Sequence, residues 1–128
     1  MLFLIGLGLN DRGISKEGLL VLSGCHEVYL EGYTVDFPYD IEELNLGKKK
    51  IELIDRKDVE SNFLLKRAKS RKVALLVYGD PLFATTHTTL LLDAQEQDIQ
   101  TKVIHSASVF EAVSETGLQM YKFGKIAS

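Results

Sequence analysis

Three short stretches carry the residue types on which chemistry could be built. The first, Gly6-Leu7-Gly8-Leu9-Asn10-Asp11, closes an apolar run, and its paired glycines permit an open turn with close approach to the backbone. A dinucleotide fingerprint would place a third glycine three residues after Gly8, where Asp11 stands instead. The stretch therefore suits a plain loop as well as a ligand site. The second, Tyr78 to His87, breaks an apolar run at Gly79-Asp80-Pro81 and continues through Leu82-Phe83-Ala84-Thr85-Thr86. Asp80 there can accept hydrogen bonds from a ligand amino or hydroxyl group, or cap N–H groups of its own turn. His87 falls near a helix start, where packing or capping is its more ordinary task. The third, His105-Ser106-Ala107-Ser108-Val109, is small enough to leave room against the backbone. Its serines can cap a helix, or leave the N–H groups of that helix start for a ligand.

What is missing narrows the chemistry. There is no P-loop, no serine-nucleophile elbow, no cluster of metal ligands and no evident acid–base pair. Such a pattern suits a reaction in which a cofactor brings the leaving group and the protein positions the reactants, as in methyl transfer from a sulfonium. A formal net charge of −3 argues against a nucleic-acid partner held by bulk electrostatics, and the one basic run, Lys48-Lys49-Lys50, reads as a solvated turn. The single cysteine, Cys25, leaves no internal disulfide and no multi-cysteine zinc site; its setting predicts a buried thiol in a reducing, cytoplasmic environment. Met1 to Leu9 is apolar but lacks a basic leader and runs straight into Asn10-Asp11-Arg12, unlike a signal peptide. No stretch is long enough to span a bilayer.

The elements that must position these loops alternate between two periodicities. The largely apolar runs Leu2–Leu7, Val28–Leu30 and Val73–Tyr78, with the shorter stretches Ile51–Ile54 and Thr101–Ile104, predict five strands. Between them, Ser15 caps a helix with Leu19, Leu20 and Leu22 on its apolar face, ended by Gly24. A short helix is expected from Ile41 to Leu46. A single helix from Asp55 would carry Val59, Phe63, Leu64 and Ala68, and another runs from Thr86 to Gln97. A last helix, capped by Ser106, would turn Val109, Phe110 and Val113 inward and end at Gly117. The expected fold is α/β, a mainly parallel open sheet of about five strands with helices on both faces. Met120, Tyr121, Phe123 and Ile126 make the final residues too apolar for a free tail; they read as an interrupted continuation or a docked edge strand.

Taken together, the loops resemble the diphthine synthase family of the tetrapyrrole-methylase-like superfamily. The resemblance rests on Leu4-Ile5-Gly6-Leu7-Gly8-Leu9, on Gly79-Asp80-Pro81-Leu82-Phe83-Ala84-Thr85-Thr86-His87 and on the block from Glu115 to Lys125. It covers the whole chain. Phe83 stands where the family often has valine, and Asn10 where relatives often have an aromatic residue. The resemblance implies an amino-terminal cofactor-binding domain over residues 1–128, a second α/β domain that these residues do not include, and a cofactor cleft between the two. It implies S-adenosyl-L-methionine as cofactor, S-adenosyl-L-homocysteine as product, and a modified histidine of translation elongation factor 2 as substrate. It also implies a cytoplasmic homodimer, with no nucleic-acid or membrane partner. Carried onto this chain, the cofactor contacts are Leu9, Asp80, Phe83, Ser108 and Val109, with no catalytic base assigned. Two alternatives stay open: a fragment that only folds or dimerises, and a methylase acting on a corrin-type tetrapyrrole.

Overall fold

The computed structural model describes residues 1–44, 46–47, 50–119, 121 and 124. Lys48 and Lys49 of the basic run lie outside them, as do Met120, Lys122, Phe123, Lys125 and Ile126 of the family block and tail. Five strands form one sheet: β1 (Leu2–Gly6), β2 (Glu27–Glu31), β3 (Ile51–Ile54), β4 (Val73–Val77) and β5 (Thr101–Ile104). Their order is β3-β2-β4-β1-β5 and every neighbouring pair is parallel. The helices are α1 (Lys16–Ser23), α2 (Arg56–Glu60), α3 (Phe63–Ala68), α4 (His87–Glu96) and α5 (Val109–Ala112).

The continuous apolar runs form strands because both faces of the sheet are covered. Side chains alternate across the pleat into two cores. Leu2, Leu4, Tyr29, Val73, Leu75 and Val77 meet Val59, Leu64, Leu65, Ala68, Leu90 and Ala94 from α2, α3 and α4. Phe3, Ile5, Val28, Leu30, Ala74 and Leu76 meet Leu22 of α1, Cys25 and Leu46. Cys25 is buried, as expected, and its thiol donates to the Val21 carbonyl at 3.4 Å. Among the described residues, no helix is long and apolar enough to cross a membrane.

Four local expectations are corrected. Ser15 does cap α1, accepting from Gly18 N at 3.0 Å, but the helix turns Gly18 and Leu22 to the sheet and leaves Leu19 and Leu20 40% and 75% exposed. The helix from Asp55 is two helices. Ser61 is extended between them, its hydroxyl donating to Asp58 O and accepting from Phe63 N, so that a serine competing for backbone groups breaks the run. Of the helix expected from Ile41 to Leu46, the described residues form a three-residue 3₁₀ turn, Ile41–Glu43, capped by Asp40, while Asn45 lies outside them. The last helix is capped by Ser108 rather than Ser106, is four residues long, and buries none of them; Val109 is 64% exposed.

The order of strands sets where a ligand can sit. From β1 the chain passes through α1, over one face, to β2; from β4 it passes through α4, over the other face, to β5. β4 and β1 are adjacent, so their outgoing connections diverge at the carboxyl ends and leave a crevice there.

Candidate active site at the carboxyl edge of the sheet

The loops after β1, β4 and β5 are pinned to one another at this edge. Gly8 and Gly79 exchange backbone hydrogen bonds of 3.1 and 2.9 Å, and the Tyr78 hydroxyl donates to Leu9 O at 3.1 Å. Gly79 has φ +72°, a conformation that costs a side-chain-bearing residue. Gly6 is needed for a different reason: a Cβ there would lie 2.6 Å from Gly79 O and 2.9 Å from Ser106 Cβ. Ser106, expected as a helix cap, instead donates from its hydroxyl to Gly13 O at 2.8 Å.

Asp80 joins the second loop to the third. Its Oδ2 accepts from Leu82 N at 3.1 Å, while Oδ1 accepts from Ser106 N at 3.2 Å and faces His105 Nδ1 at 2.7 Å. A carboxylate offers roughly four acceptor positions, so these three contacts leave room for one further donor. The capping role open to Asp80 in the sequence is thus present, and it still allows a ligand contact. Beyond it, Thr85 Oγ1 donates to Pro81 O at 2.7 Å and Ala84 holds φ 56°. A non-glycine residue in the left-handed region is uncommon and collects at ligand-holding turns.

A cavity of about 330 Å³ opens between these loops. Asp80, Phe83, Ser108 and Val109 line it together with Gly79, Ala84 and Thr85. Leu9 is outside its lining and is connected to it through Tyr78. Phe83 is 42% exposed and stacks on Phe110 with centroids 4.9 Å apart, giving the mouth an apolar rim. At the amino terminus of α5 the N–H groups of Phe110 and Glu111 are already taken within the chain. Ser108 Oγ accepts from Phe110 N at 3.2 Å, and Glu111 accepts from Ser108 N and Oγ at 2.7 and 2.5 Å. The Ser108 hydroxyl holds the Glu111 carboxyl below its ordinary value. Ser108 is buried and contributes shape rather than free donors.

The opposite wall comes from a loop that the sequence did not single out: Thr34, Val35 and Asp36, after β2. Beneath it Glu31 is buried and bonded to His87, Nε2 to Oε2 at 3.2 Å. His87 is therefore a packing residue, the ordinary role expected of it. The one signal for Glu31 was an acidic residue closing the apolar run Val28–Leu30. Tyr78 also lines the cavity and forms a ring cluster with Phe37 and Tyr39, with centroid distances of 5.5 to 6.5 Å. Burial pushes the Tyr39 phenol up to about 12. A smaller space of about 160 Å³ lies on the far side of His87, between Val59, Glu60, Leu90 and Asp93. Among the described residues, no three metal-ligating side chains converge.

The arrangement can enclose a partly apolar ligand between two loop walls, with one carboxylate acceptor and backbone groups to orient it. A family model for tetrapyrrole (corrin/porphyrin) methylases matches residues 1–128. The chain is 46% identical to a diphthine synthase of Archaeoglobus fulgidus, over all of the chain and 53% of that relative. It is 46% identical to a diphthine methyl ester synthase of Homo sapiens, over all of the chain and 46% of the relative. A crystal structure of a diphthine synthase superposes with a TM-score of 0.89 at 43% identity, covering 96% of this chain and 51% of the other. The chain spans about half the length of the curated relatives it matches.

Proposed function

Because the chain belongs to the tetrapyrrole (corrin/porphyrin) methylase family, we propose that it is a cofactor-binding domain of an S-adenosyl-L-methionine-dependent methyltransferase of the diphthine synthase kind. The observation that carries this reading is the convergence of Asp80, Phe83, Ser108 and Val109 on one cavity in a chain 44–46% identical to diphthine and diphthine methyl ester synthases. Those likenesses, which run the full length of the chain, favour this substrate class over a corrin-type tetrapyrrole. The substrate is then the modified histidine of translation elongation factor 2, in the cytoplasm, with the enzyme working as a homodimer. Residues 1–128 form one side of the cofactor cleft, and a second family domain supplies the other.

The cavity suits such a cofactor in its chemistry. Phe83 and Val109 present partly exposed apolar surface for a purine or thioether, and Asp80 keeps an acceptor position for a hydroxyl or amino group. Leu9 lies at the turn that Tyr78 fixes. When bound, the sulfonium cofactor supplies both the methyl group and its leaving group, so this chain's task is to bind, orient and exclude water.

Titration of the chain with S-adenosyl-L-homocysteine beside Asp80→Ala tests the reading. Weak binding is expected, reduced by at least about tenfold in the variant, with circular dichroism showing both folded. No binding by the folded wild-type chain would overturn the claim that these loops form a cofactor site by themselves. Methyl transfer on adding the family's carboxy-terminal half would separate an enzyme half from a fragment that only folds or dimerises.

A further inference from the structure

Glu31 is the last residue of β2 and its carboxylate is almost entirely enclosed, with 1% of its side chain exposed. It accepts four hydrogen bonds. Three come from the turn that follows it: Tyr33 N at 3.1 Å, Thr34 N at 2.8 Å and Thr34 Oγ1 at 2.8 Å. The fourth comes from His87 Nε2, 56 residues away, whose side chain is 2% exposed. An ionised carboxylate only accepts, so Nε2 carries the proton. Burial opposes the charge on Glu31, but the bonds from His87 and Thr34 outweigh it and hold the carboxyl below its ordinary value.

The two partners belong to opposite walls of the cavity. Thr34 begins one wall. His87 stands two residues after Thr85, which lines the other, and its backbone N–H donates to Thr85 Oγ1 at 3.4 Å, the hydroxyl that in turn donates to Pro81 O. A chain of bonds thus runs from Pro81 through Thr85, His87 and Glu31 to Thr34, beneath the cavity floor. We propose that Glu31 and His87 are positioning residues, a buried strut that sets the spacing between the Thr34–Asp36 wall and the Asp80–Thr85 wall of the ligand cavity. The proposal rests on the cofactor reading of that cavity for its consequence, but the strut itself is a property of the two loops. Neither side chain lines the ligand cavity itself, so their effect on binding there is indirect. A hydrogen-bond network centred on a buried pair favours one geometry, and removing a member frees the elements it joined.

The test uses the 128-residue chain and four variants: Glu31→Ala, Glu31→Gln, His87→Phe and the double variant Glu31→Ala/His87→Phe. Amide hydrogen exchange reads the strut without any ligand. Exchange at Tyr33 and Thr34 should rise about tenfold or more in Glu31→Ala and His87→Phe, with β4 and β1 unchanged. Glu31→Gln, whose amide oxygen still accepts from Thr34 N, should rise less. Affinity for S-adenosyl-L-homocysteine should fall about tenfold in His87→Phe and in Glu31→Ala, and the double variant should be little worse than either. Unchanged exchange in the folded variants would overturn the strut. So would losses of affinity that simply add. If the wild-type chain binds no S-adenosyl-L-homocysteine, the cofactor reading fails while the exchange experiment still decides the strut.

Discussion

β2 carries a glutamate at each end, and the two are held in different ways. At the amino end, Glu27 meets side chains from outside the sheet: Arg67 Nε donates to its two oxygens at 2.8 and 2.6 Å, and Arg71 Nη1 lies 3.6 Å away. Those arginine side chains are 40% and 56% exposed, so water and salt compete for the pair. At the carboxyl end, Glu31 meets backbone N–H groups, a threonine hydroxyl and a buried imidazole, and its own side chain is almost fully enclosed. The same residue type, four positions apart, pairs with partly exposed cations at one edge and holds a loop at the other. The difference follows from what each edge does: the carboxyl edge must hold a cavity of one shape, and fixed donors do that better than long flexible cations.

Substitutions can break this contrast, and the largest effect is expected at the buried end. Glu31→Ala deprives four donors of their acceptor and should lower stability by about 3 kcal/mol in urea unfolding; a loss under about 1 kcal/mol would mean that the donors re-pair easily. Gly6→Ala attacks the same edge by crowding, since the new methyl group would meet Gly79 O and Ser106 Cβ. It should cost about 2 kcal/mol and weaken ligand binding along with stability.

Glu27→Gln should cost about 1 kcal/mol or less, and adding 1 M salt (about 3 Å Debye length) should erase the difference from wild type. The cost of Glu31→Gln should survive that salt. The smallest expected effect is in acid. Both carboxyls lie below the ordinary value of 4.5: Glu27 through the Arg67 hydrogen bond, and Glu31 despite burial, through His87 and Thr34. Their stabilisation is therefore complete above that value and is lost as pH falls through the lowered folded values. The stability gap between wild type and either glutamine variant should narrow as pH drops from about 5 to about 3. A gap that widens would reverse the sign of the argument.

The strands and the three glycine- and serine-bearing loops were legible because their signals are local. Leu2–Gly6 and Val73–Val77 are apolar at every position, and Gly79-Asp80-Pro81 cannot continue a strand. What failed was decided by tertiary contacts. Ser61 looked like an ordinary position in a helix that its hydroxyl in fact breaks. Leu19 and Leu20 matched an apolar face, yet Gly18 and Leu22 took the side against the sheet. Ser106 and Ser108 both suit a cap, and the choice depends on Gly13 O being close enough to claim Ser106. The Thr34–Asp36 wall and Glu31 had no spacing to reveal them, because the partner that gives Glu31 its role is 56 residues away.

The most direct test of the cavity between the two loop walls is an NMR titration of the isotope-labelled chain with S-adenosyl-L-homocysteine. The expected result is a set of shift changes at Asp80, Phe83, Ser108 and Val109 on one wall and at Thr34 to Asp36 on the other. Shifts confined to the smaller space around Val59, Leu90 and Asp93, or none at the carboxyl edge of the sheet, would contradict it.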